Sequence, residues 1–120
     1  MKHIITIFLF TFISHTMSAQ ETSTFIYEIK LLEKYRHVSS WTEREHKIQQ
    51  QHLAYLDSLT KTGKLTMAGI IDQGLEEHTG FIILKTTDYQ EAYSISQEDP
   101  SIKQGMMTAR LRLINIYFKN

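Results

Sequence analysis

A chain of 120 residues with 42% apolar content, one proline and five glycines can build one domain with its own core, and nothing in it marks a second. Thirteen basic and thirteen acidic residues cancel, which removes the electrostatic basis for a nucleic-acid or anionic-membrane partner. The absence of cysteine excludes a disulfide framework, a sulfur-ligated metal, a thiol nucleophile and a lipidated cysteine.

Residues 1–19 read as a secretory signal peptide. Lys2 and His3 form a short polar start, Ile4 to Ile13 is an apolar run broken only by threonines, and Ala19 offers a small residue for cleavage after a polar end. The apolar run is about half the length needed to span a bilayer as a helix. Met17 is the departure from the pattern, and a core strand or an uncleaved anchor is the alternative. Cleavage leaves an exported domain of residues 20–120, periplasmic or extracellular, with no membrane segment and one net negative charge, since only Lys2 is lost among the charged residues.

Gln20 to Thr24 is a polar lead-in. Phe25 to Leu32 alternates Phe25, Tyr27, Ile29 and Leu31 against a mixed face, which predicts a strand. After a charged connection, Ser40 with Glu43, or Thr42 with Glu45, fits a capping box that starts a helix reaching about Thr62. Ile48, His52, Tyr55, Leu56 and Leu59 fall on one face of it, so His52 is on the buried side. Gly63 closes the helix, with Lys61 in its last turn.

Lys64 to Ile71 has strand composition, with Gly69 marking a bulge or a close backbone approach. Residues 72–80 read as a polar hairpin loop and Phe81 to Thr86 as the returning strand. Thr87 or Asp88 caps a second helix, Tyr89 to about Gln97, with Ala92, Tyr93 and Ile95 as inward residues. Asp99 then caps a short turn that has Pro100 at its first position and Gly105 at its close. Met107 to Phe118 reads as a long final strand, with Met107, Ala109, Leu111 and Leu113 on one face and Thr108, Arg110, Arg112 and Ile114 on the other.

The order strand, helix, strand, strand, helix, strand predicts an α+β ferredoxin-like βαββαβ sandwich, a four-stranded antiparallel sheet with both helices on one face. The opposite face carries Ile26, Leu32, Ile114 and Ile116 or their neighbours. Covering it with the same face of a second copy predicts a homodimer.

His52-Leu53-Ala54-Tyr55-Leu56, Gly63-Lys64-Leu65, Ala68-Gly69, Gly80-Phe81, Glu91-Ala92 and Asp99-Pro100 followed by Gly105 together resemble the YCII-related (YciI-like) family of the dimeric α+β barrel superfamily, over about residues 25–118. The resemblance implies a dimer packed sheet to sheet and an active site centred on a His and an Asp, which fall on His52 and Asp99. It also implies a family in which most members have no established reaction, one branch eliminates chloride from a cyclic substrate, and the wider superfamily holds isomerases and monooxygenases. Two departures stand out. Several relatives carry an arginine one helical turn before the histidine, where this chain has Gln49, and most lack a signal peptide.

A histidine beside a carboxylate can exchange protons near neutral pH, because its ordinary pKa is about 6.5 and the carboxylate fixes its tautomer. The plain alternatives are a core histidine satisfied by hydrogen bonds and, for Asp99, a helix cap; capping uses one carboxylate oxygen and leaves the other for His52. Arg110 and Arg112 are candidate anchors for an anionic substrate between the sheets, or partners of Glu28 across the dimer, or surface residues. Tyr55, one turn after His52, can close a pocket or simply pack.

No metal or cofactor is expected. His46 and His52, six residues apart, point to different sides of the helix; His37 and His78 lie in loops, and Glu76, Glu77 and His78 read as a solvated hairpin tip. No phosphate loop, Ser/His/Asp order or haem signature is present. The expectation is a cofactor-independent lyase or isomerase that acts on a small organic, anionic substrate through His52 and Asp99. The alternative is a non-catalytic small-ligand or partner-binding module of the same dimeric fold.

Overall fold

The alternation that starts at Phe25 becomes the central strand β1, Ser23–Leu31, in a computed structural model that describes residues 21–72 and 79–120. The signal-peptide reading of residues 1–19 and the hairpin tip with Glu76, Glu77 and His78 fall outside the described residues. Helix α1 spans Glu43–Lys61, β2 Leu65–Ile71, β3 Thr79–Thr86, α2 Tyr89–Glu98, α3 Pro100–Lys103 and β4 Met107–Ile114. The sheet order is β2-β3-β1-β4, and β1 is antiparallel to both neighbours. This is the ferredoxin-like α+β sandwich expected from the order of elements.

Register explains which face is which. Tyr27 lies between Ile82 and Leu111, and Ile29 between Gly80 and Ala109, so the apolar sets of three strands meet on the helix-covered face. Phe25, Tyr27, Ile29, Ile82 and Leu84 are buried there against Ile48 and Leu59 of α1 and Ala92 of α2. The opposite face carries Ile26, Phe81 and Ile83, half-buried, with Met67 and Ile71 more exposed.

The helix boundaries follow local chemistry. Of the two overlapping capping motifs, Thr42 with Glu45 is the one formed: the Glu45 carboxylate accepts from the Thr42 N–H at 2.8 Å and from its hydroxyl at 2.9 Å. Gly63 follows α1 with φ of +78°, the left-handed conformation that stops a helix at little steric cost. Asp88, rather than Thr87, caps α2 by accepting from the Glu91 N–H at 2.9 Å.

Three expectations are corrected, and the two alternatives left open at Gly69 are resolved. The last strand stops at Ile114, not Phe118, because Ile114 pairs with Thr24, close to the start of β1, and little of that strand remains for further pairing; Phe118 is 96% exposed. Tyr93 is not an inward residue of α2. It is 44% exposed and stacks on Tyr89 at 6.2 Å, while Ser96, four residues after Ala92, takes the inward position. The bulge of β2 lies between Leu65 and Met67 rather than at Gly69; Gly69 instead gives close approach, since a Cβ there would lie 2.8 Å from Cζ of its cross-strand partner Phe81. Leu32 and Ile116 lie beyond the strands expected to carry them on the open sheet face.

Candidate functional site

One residue, Asp99, ends α2 and begins α3. Pro100 cannot donate a backbone N–H and suits the first helical position, so the chain reverses here and the carboxylate caps the new turn by accepting from the Ser101 N–H at 2.9 Å. The Ser101 hydroxyl donates to the same oxygen, Oδ1, at 2.8 Å. Tyr27, from the middle of β1, donates its hydroxyl to Oδ2 at 3.0 Å. His52, from the buried face of α1, brings Nδ1 to 2.8 Å from Oδ1 and 2.9 Å from Oδ2.

Asp99 has no solvent exposure, and His52 is 4% exposed. Burial is the largest influence on the Asp99 carboxyl and opposes its ionisation, but the hydrogen bond and charge of His52, together with the Ser101 donors, outweigh it and hold the carboxyl below its ordinary value. An ionised carboxylate only accepts, so the Nδ1 that faces it carries the proton. Burial first, then the Asp99 charge and hydrogen bond, push the Tyr27 hydroxyl far up, so it stays a neutral donor.

With Nδ1 committed, the working end of His52 is Nε2, which has no protein partner among the described residues. His52 lines a cavity of about 560 Å³ between α1 and the sheet. Ile29, Ile82, Met107 and Ala68 contribute from the strands, Leu53 and Leu56 from α1, and Trp41 and Val38 from the connection before α1. Apart from His52, the side chains there that can engage a polar ligand are Gln49, one turn earlier on α1, and Arg36. The Trp41 N–H is already donated to the Tyr35 carbonyl at 2.6 Å. The space beside the pair is therefore open but mainly apolar, a wall type common in small-molecule sites.

His52 and Asp99 are the two expected site residues that the fold brings together. Tyr55 is absent from the cavity wall: its hydroxyl donates to the Ile95 carbonyl at 2.8 Å, which ties α1 to α2. Burial, with Asp99 and Glu98 nearby, pushes that hydroxyl up to about 12. Arg110 and Arg112 alternate onto the open face of the sheet, across the strand layer from His52. Arg112 is ion-paired with Glu28 on the neighbouring strand β1, and Arg110 lines a separate hollow of about 340 Å³ with Glu28, Lys30 and Thr108. Sequence reasoning missed Tyr27, Ser101, Arg36 and the cavity role of Gln49. Only Tyr27 left a trace: it is the one residue on the apolar face of β1 with a polar tip.

The YCII-related domain profile matches residues 27–112. Among solved structures, 5-chloro-2-hydroxyhydroquinone dehydrochlorinase (TftG) from Burkholderia phenoliruptrix AC1100, in complex with 2,5-dihydroxybenzoquinone, superposes with a TM-score of 0.56 at 21% identity, over 74% of this chain and 90% of that one. That likeness shows a shared fold. A C-terminal segment of the alpha subunit of aIF2 from Pyrococcus abyssi gives a TM-score of 0.43 at 15% identity, over 84% of this chain and 55% of that one, and carries no argument. No curated protein matches the chain.

The depressed Asp99 carboxyl sets a pH dependence of stability. Its folded value lies below the unfolded value of about 3.9, so its contribution is complete above about pH 5, about one unit over the unfolded value, and is lost as pH falls through the folded value. Asp99→Asn lowers stability at pH 7 by about 2–3 kcal/mol. Urea denaturation from pH 7 to pH 2 shows the gap between wild type and Asp99→Asn narrowing only below about pH 5.

Proposed function

Since the chain belongs to the YCII-related family, we propose that it is a cofactor-independent lyase or isomerase in which His52 moves a proton on a small organic substrate. The observation that carries this reading is the asymmetric use of one imidazole: Nδ1 is fixed on a buried, ionised Asp99, and Nε2 of the same ring, which lines the apolar cavity, has no protein partner among the described residues. Neutral His52 then presents its lone pair to the cavity as a general base.

Nε2 removes a proton from a substrate carbon next to a carbonyl. The C–H electron pair forms a carbon–carbon double bond either to the adjacent carbon, which loses a leaving group with its bonding pair, or to the carbonyl carbon, whose π pair moves to oxygen as an enolate that the imidazolium then reprotonates at another carbon. The first course is elimination and the second isomerisation. Asp99 stabilises the imidazolium while it exists, and Tyr27 and Ser101 keep Asp99 oriented. The name of TftG, a dehydrochlorinase complexed with a hydroxylated quinone, supports a cyclic, hydroxylated substrate and the elimination course.

A second reading has its own observation. Asp99 caps α3 and holds Tyr27 of β1, so the network serves the fold even without chemistry. On that reading the domain is a ligand-binding module.

Chloride release from 5-chloro-2-hydroxyhydroquinone, followed by ion chromatography, separates the two. The acid–base reading predicts release above the uncatalysed rate that falls about 10²- to 10⁴-fold in His52→Gln. A compound that binds and is returned unchanged supports the binding module.

The same reading has the domain exported after cleavage near Ala19 and working as a homodimer, with Ile26, Phe81 and Ile83 on the open sheet face covered by the same face of a second copy. Light scattering on the purified protein is expected to give twice the chain mass, and Ile83→Glu, which introduces a charge into that face, to give one chain mass.

A further inference from the structure

The open face of the sheet holds charges that the proposed chemistry leaves unused. Glu28 and Lys30 of β1 and Thr108 and Arg110 of β4 alternate onto that face, and the register sets Glu28 opposite Arg110 and Lys30 opposite Thr108. With Ile71 at the end of β2 and Thr79 at the start of β3, they line the hollow of about 340 Å³. It lies next to the apolar strip of Ile26, Phe81 and Ile83, towards the ends of β1 and β2.

These charges do not cancel. Glu28 sits directly opposite Arg110, yet its carboxylate is ion-paired with Arg112, two residues further along β4. Asp72, next in the chain after Ile71, has a partner of its own, whereas neither Arg110 nor Lys30 has a hydrogen-bond or ion-pair partner among the described residues. On a free sheet face water solvates both, since Lys30, Thr108 and Arg110 are exposed. Covering the face changes the balance. A second copy seated on the apolar strip takes water from the cations at its border, and an unpaired charge removed from water is costly. A two-fold related copy brings the same unpaired Lys30 and Arg110, so this patch cannot neutralise its own counterpart.

We infer that the hollow binds a small dianionic oxyanion of the phosphate type, held by Arg110 and Lys30 with the Thr108 hydroxyl as a further donor, and that this anion is the counter-ion where two copies meet. Arginine offers paired N–H donors and lysine an ammonium, so an anion with several acceptor oxygens and two charges engages both. The hollow lies across the strand layer from His52, which makes the anion a ligand distinct from the substrate of the proposed reaction. Its link to assembly rests on the homodimer of that reading, and the site itself on the hollow and its two unpaired cations. An anion that binds the dimer more tightly than the single chain strengthens the dimer by mass action.

Titration of the purified protein with inorganic phosphate, followed by ¹H–¹⁵N NMR with sodium chloride adjusted to hold ionic strength constant, tests the site. Saturable shifts are expected at Lys30, Thr108 and Arg110, and chloride alone should not produce them. Arg110→Gln and Lys30→Gln should each weaken phosphate at least about tenfold, while Arg110→Lys retains part of the affinity. Thermal melts confirm that the variants fold. Sedimentation equilibrium on the same samples should give a dimer dissociation constant at least about tenfold lower in phosphate than in chloride, a gain that Arg110→Gln loses. Shifts that never saturate, or that survive both glutamine substitutions, overturn the inference. A dimer equally tight in phosphate and chloride also overturns it, because carboxylates of the second copy then neutralise the cations. A protein that stays a single chain in every buffer, yet binds phosphate through Arg110, sinks the homodimer reading and leaves the anion site standing.

Discussion

A carboxylate with no access to water has to be given hydrogen bonds, and in this chain that requirement ties the layers together. Asp99 takes donors from β1 through Tyr27, from α1 through His52 and from α3 through Ser101. Each donor belongs to a different element, so satisfying one buried charge fixes the long helix, the central strand and the short turn relative to one another. The Asp-Pro step anchors the arrangement locally, because the same carboxylate caps the turn that follows it.

This constraint makes the histidine asymmetric. One ring nitrogen is a structural member of the network, and the other is left to the cavity. The mainly apolar wall of that open cavity suits the body of an organic ligand, whose arrival would displace water from beside the ring nitrogen. The two faces of the sheet have separate duties. The helix-covered face holds the network and the cavity, whereas the open face holds the Arg112 to Glu28 ion pair and the apolar strip of Ile26, Phe81 and Ile83.

Much of this was legible before the structure. Helical spacing placed His52 on the buried face, the Asp-Pro step placed a capping carboxylate at residue 99, and strand alternation separated the two sheet faces. What was not legible depended on distance across the fold. Tyr27 read as one of four apolar-face residues of a strand, and nothing in its neighbourhood says that its hydroxyl meets a turn 72 residues later. Arg36 and Gln49 lie in stretches whose local pattern is a charged connection and a polar helix side; only the space enclosed by α1 and the sheet gives them a common destination. Arg110 and Arg112 show the reverse. Their shared face was legible, but alternation also takes them to the side of the sheet away from His52.

The central claim is that Asp99 holds the Nδ1–H form of neutral His52 and leaves Nε2 with a lone pair facing the cavity. Long-range ¹H–¹⁵N NMR of the imidazole, recorded at a pH where the ring is neutral, reads this directly. The account predicts a protonated Nδ1 and a pyridine-type Nε2 in wild type. A protonated Nε2 in the neutral ring would contradict it, because the nitrogen facing the cavity would then be a donor and not a base.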